Sequence, residues 1–93
     1  MITPHGYTYA GVTIPDHTAS AMEAYVNHGQ PPGSFLTEVF SNRLVHAFAR
    51  ADKDNTEAMV AIAAWVWKEA PAVCWGSRER VDKWIAQGGL EGM

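Results

Sequence analysis

Ninety-three residues with a formal net charge of −3, seven Lys plus Arg against ten Asp plus Glu, suit one small domain. They lack the basic field through which broad nucleic-acid binders neutralise phosphates, so DNA binding is not expected. Hydrophobic residues at 47% and charged residues at 18% exclude a disordered composition, and a single cysteine, Cys74, excludes an intrachain disulfide.

The first residues show no basic stretch followed by an apolar one, as a secretory leader would. The longest apolar run, Ala58 to Trp67, is half the ~20 residues that span a bilayer. A reducing cytoplasm, with no membrane partner, is the expected location. The expected fold class is all-α: a compact bundle of about four helices over residues 16–88, preceded by an extended, strand-like N-terminal arm over residues 1–15. Tyr7 to Ile14 is rich in strand-favouring residues, with Gly11 inside it. One strand cannot satisfy its own backbone. An arm lying on the body is the preferred reading, with a short hairpin or pairing to another protomer as alternatives.

The first helix is predicted over Asp16 to His28, started by Pro15 and Asp16 and stopped by Gly29. Pro31 and Pro32 then break the chain. The second helix is predicted to run unbroken from an N-cap at Ser34 to about Ala51. Leu36, Phe40, Leu44, Ala47, Phe48 and Ala51 fall on one stripe about 120° wide, which reads as core. Arg43, His46 and Arg50 form a ridge on its flank. Asp54 with Glu57 has the spacing of a capping box for a third helix, which ends near Ala70 before Pro71. Ala58 to Trp67 contains no polar residue. A helix apolar all round is buried all round, so part of it is expected to be a seam between two copies of the chain. The alternative is a central helix covered by its own chain and the arm. Ser77 is expected to cap a last helix ending at Gln87 before Gly88-Gly89, with Val81, Trp84 and Ile85 facing inward.

Catalytic signatures fail. There is no phosphate loop with Lys-Ser/Thr, no dinucleotide fingerprint, no His-Glu-x-x-His and no Gly-x-Ser-x-Gly. His5, His17, His28 and His46 never pair at helical spacing, so no metal, cofactor or enzymatic activity is expected. Two segments, Pro32-Gly33-Ser34-Phe35 and Trp75-Gly76-Ser77-Arg78, place Gly-Ser where a helix is predicted to begin. Helix N-termini attract anions, and Trp75 for stacking with Arg78 and Arg80 for phosphate would suit a nucleotide. Ordinary capping with Trp75 in the core is the competing reading. The ridge reads either as a solvated flank or as the wall of a groove for a small anion. The candidate ligand-binding residues are therefore Arg43, His46, Arg50, Ser34, Trp75, Ser77 and Arg78.

Pro32-Gly33-Ser34-Phe35-Leu36, Asn42-Arg43-Leu44, Arg50-Ala51-Asp52 with Asn55, and Cys74-Trp75-Gly76-Ser77 together resemble a family of small uncharacterised phage and prophage accessory proteins. In these, a Tyr-x-x-x-Gly-x-x-Pro-Gly-Ser-Phe-Leu start, here Tyr25, Gly29 and Pro32 to Leu36, precedes an Ala-Asp-x-x-Asn turn and a late Trp-Gly-Ser. The resemblance covers roughly residues 15–84. It implies a phage product acting in the bacterial cytoplasm by stoichiometric binding. Such a protein would sequester a nucleotide-derived immune signal of the host, or block a host defence protein as an inhibitor or adaptor.

Overall fold

The computed structural model describes residues 2–93. Over these residues the chain is a mostly helical bundle: a small hairpin of β1 (Thr8–Tyr9) and β2 (Val12–Thr13), then α1 (Asp16–His28), α2 (Ser34–Phe40), α3 (Leu44–Arg50), α4 (Lys53–Glu69) and α5 (Arg78–Gln87). Short 3-10 turns cover Ala72–Cys74 and Leu90–Gly92.

The N-terminal segment folds back on itself rather than lying extended. β1 and β2 pair antiparallel, with Thr8 opposite Thr13 and Tyr9 opposite Val12. Ala10 and Gly11 both take positive φ, 53° and 78°, as a two-residue hairpin turn requires. The hairpin lies against α4, where the Lys68 ammonium sits 4.5 Å from the centre of the Tyr9 ring.

α1 has the predicted bounds. Gly29 ends it in the left-handed region (φ 71°), with its N–H donating to the Tyr25 carbonyl. The far end of the chain docks here. A Cβ on Gly89 would lie 2.5 Å from the Gly29 nitrogen, so only glycine permits this approach. Beside it, buried Asn27 holds the N-terminal segment by accepting from the Ile2 N–H (3.1 Å) and donating to the Ile2 carbonyl (2.7 Å).

The predicted second helix is two helices. α2 ends at Phe40 in a Schellman motif: Asn42 N–H donates to the Val39 carbonyl and Arg43 N–H to the Glu38 carbonyl. Asn42 supplies the left-handed residue (φ 63°), a conformation asparagine tolerates better than most. The stripe is broken with the helix. Leu36 and Phe40 are buried and Ala47 is buried, but Leu44 and Phe48 are exposed. The start of α4 also differs from expectation, because Asp52 and not Asp54 is the cap. Its Oδ1 accepts from the Asn55 N–H at 2.8 Å, which starts the helix two residues before a box at Asp54 would.

The core gathers Tyr25, Phe40, Ile62, Trp65 and Trp84. Tyr25 and Phe40 rings lie 4.4 Å apart. The polar tips of the large aromatics are satisfied: the Tyr25 hydroxyl donates to the Cys74 carbonyl (2.6 Å), and the Trp84 indole N–H is shared by the Tyr25 and Val26 carbonyls. α4 crosses this core with Ala58, Met59, Ala61, Ile62, Trp65 and Val66 inward. The helices and the hairpin cover most of its circumference, leaving Val60, Ala63 and Trp67 on one exposed stripe.

Candidate functional site

Two of the seven predicted site residues, Ser77 and Arg78, are occupied locally. Ser77 caps α5, its Oγ accepting from the Arg80 N–H at 3.2 Å, and Arg78 pairs with Asp82 at 3.0 Å. Arg80 folds back over Gly76 and donates to the Ala72 and Trp75 carbonyls. The N-terminus of α5 thus carries ordinary capping. Ser34 is the first residue of α2 and not its cap, which is Gly33.

The basic ridge does not survive as a unit. Arg43 stands at the N-cap of α3, with its Nη2 donating to His46 Nε2 at 3.2 Å and its Nε 3.5 Å from the buried Glu38 carboxylate. That separation is an ion pair without a hydrogen bond, and among the described residues Glu38 Oε2 has no hydrogen-bond partner. Arg50 faces elsewhere, into a hollow of about 250 Å³ shared with Ser34, His17 and Asp52. The carboxylate of Asp52 makes that hollow mixed in charge. Arg43 lines a different, larger groove with Trp75, and His46 lines neither.

This larger groove, about 390 Å³, lies between α3 and α4. Leu44 and Ala47 form its α3 wall, while Met59, Ala63 and Trp67 form its α4 wall. Arg43 is the one charged residue among its lining. The Trp75 ring packs edge-on to Trp67 at 5.9 Å, placed there by the Gly76 N–H donating to the Phe40 carbonyl at 2.8 Å. Of its lining, Leu44 is 58% exposed and Trp67 72%, and the same two helices also expose Val45, Phe48 and Val60.

Sequence reasoning placed Leu44 and Phe48 in the core and so missed this surface. The available signal was Asn42, a residue that favours the helix-ending left-handed conformation inside an otherwise apolar-periodic run. Trp67 was legible only as part of an apolar helix, without the face it occupies.

The single cysteine and the core tyrosine are withdrawn from solvent. Burial pushes the Cys74 thiol up to about 12, and it pushes the Tyr25 phenol up as well, reinforced by the neighbouring Cys74 and Asp82. Among the described residues, no group of three or more His, Cys, Asp or Glu side chains is placed to hold a metal ion, and no helix is long and apolar enough to cross a membrane. No family model, curated protein or solved structure matches this chain.

Proposed function

We propose that this chain is a non-enzymatic protein-binding module that covers its α3–α4 face with an apolar segment of another protein. The observation that carries this reading is the exposure of Leu44 and Trp67 around one apolar groove, when the same chain buries Trp65 and Trp84 almost completely. Large apolar side chains around a cavity are what interface anchors use. In the phage context that the Pro-Gly-Ser-Phe-Leu resemblance implies, the partner is a host defence protein, bound stoichiometrically in the cytoplasm by an inhibitor or adaptor. Capture of a small anionic nucleotide is less well supported, because it needs Arg43, His46 and Arg50 around one opening.

Selection from a displayed peptide library tests the reading. Wild-type protein should enrich sequences with bulky apolar residues at helical spacing, and Leu44→Lys or Trp67→Glu should lose them. Enrichment that persists in both variants, or none at all, would remove the α3–α4 face as the binding surface.

A second reading rests on the Val60, Ala63 and Trp67 stripe within the helix expected to form a homodimer seam. A second copy packed there would also cover the face. Sedimentation velocity separates the two: a dimer abolished by Trp67→Glu favours self-association, and a monomer up to hundreds of micromolar leaves the face to another protein.

A further inference from the structure

The groove has a charge character that narrows its occupant, given the protein-binding reading on which this inference rests. Arg43 stands in the wall, and its side chain is 48% exposed. The Glu38 carboxylate lies 3.5 Å from the Arg43 Nε and is itself buried. His46 accepts from Nη2 on the α3 side, which leaves the remaining guanidinium N–H groups without a protein acceptor among the described residues. No carboxylate lines the groove. Further along, Arg50 and Lys53 have no carboxylate within 4 Å among the described residues, whereas Arg78 and Lys83 on α5 are each paired with an acid of their own helix. Lys68 at the far end of α4 and Arg80 on α5 likewise have no carboxylate within 4 Å, so among the described residues it is Arg43 alone that brings a cation to the groove.

The apolar walls have helical spacing on both sides. Leu44 and Ala47 are three apart on α3; Met59, Ala63 and Val66 follow i, i+4, i+7 on α4. Two such ridges with small Ala47 and Ala63 in them make a trough into which a third helix packs, presenting its own anchors at i, i+4 and i+7. A second copy offering its own α3 fits this trough poorly: Leu44 to Arg50 carries no acid, so that helix would bring arginine to arginine.

We propose that the α3–α4 groove takes an amphipathic helix of another protein whose apolar face seats between Leu44 and Trp67 and whose flanking Asp or Glu pairs with Arg43. Charge-assisted pairing with a guanidinium is directional, and a carboxylate in this position adds selectivity to a contact that the apolar anchors alone would leave permissive.

Fluorescence anisotropy with three labelled helical peptides tests this. The first carries Leu and Phe anchors at i, i+4 and i+7 with Glu flanks, the second has the same anchors with Lys flanks, and the third has the Glu flanks with its anchors changed to Ser. The first should bind about tenfold tighter than the second at low salt, with the gap shrinking in high salt. Arg43→Gln should narrow the gap, and Arg43→Glu should reverse it. Circular dichroism identifies a variant that fails to fold, and Arg43→Gln carries the test if Arg43→Glu does. Equal binding of the Glu and Lys peptides would overturn the charge assignment while leaving the protein-binding reading in place. Binding by none of the three would overturn both. A tight dimer that excludes the peptides would replace this occupant with a second copy.

Discussion

Ala10 holds φ 53°, in the left-handed region where a Cβ crowds the following carbonyl at a cost of about 1–2 kcal/mol. Gly11 after it completes a turn for which Asn-Gly is the favoured pair. Ala10→Asn is therefore expected to stabilise the protein by about 0.5–1 kcal/mol, seen in calorimetry as a Tm several degrees higher. An unchanged Tm would mean that the hairpin opens before the core does. Cys74 makes a different prediction. Its thiol is fully buried and held up to about 12, against an ordinary value of 9.0. A group raised on folding contributes its stability below the unfolded value and loses it as pH climbs toward the folded one. Stability should thus fall between pH 9 and 12, by of order 1 kcal/mol per unit from this thiol, with Tyr25 adding to the fall at its upper end. Urea midpoints taken from pH 8 upward should show the slope in wild type and a shallower one in Cys74→Ala. At pH 8 the native thiol should resist an alkylating reagent that labels the unfolded chain at once.

The break between α2 and α3 places the groove, and it depends on Asn42. Asn42→Gly keeps the left-handed residue and should change stability little, whereas Asn42→Val forces a β-branched side chain into that region and should cost about 1–2 kcal/mol. A gain of helical signal in Asn42→Val would instead show the chain straightening into one helix. That single helix is what hydrophobic periodicity indicates, since Leu36, Phe40, Leu44, Ala47 and Phe48 share one stripe at 100° per residue. Periodicity reports which side chains could share a face, and it is blind to one residue that turns the axis. The ends of α1 and α5 were legible because Gly29 and Gly88 mark them chemically, each in the left-handed region. The cap of α4 was misplaced because Asp52 and Asp54 both stand at its start, and only backbone geometry decides between them. Asp52→Ala should cost about 1 kcal/mol and Asp54→Ala much less, by thermal melts of the two variants. The same limits apply to the site. Arg43 and Trp75 do share one groove, but spacing alone could not show that Arg50 leaves it for the hollow beside Ser34.

Across the whole molecule, the question is which apolar surface the chain covers by itself. α4 is apolar for nearly three turns, and a protein of this size buries only a little over ~60% of its unfolded surface, so some of that helix must face outward. The fold divides it by face. Trp65 points into the core at 2% exposure and Trp67, two residues on, stands at 72%. The two indoles are chemically identical, so substituting each separates self-burial from a surface held open. Trp65→Ala removes a side chain packed on all sides and should cost about 3–5 kcal/mol, enough to unfold much of a marginal domain near body temperature. Trp67→Ala removes little more than its edge contact with Trp75 and should cost under about 1 kcal/mol. Denaturant unfolding followed by circular dichroism reads both. A large loss from Trp67→Ala in a monomer would mean that this ring is covered in solution by the chain itself. Wild-type stability that rises with protein concentration, a dependence absent from the variant, would mean that a second copy covers it. A small, concentration-independent change leaves Trp67 exposed and the α3–α4 face open for another protein.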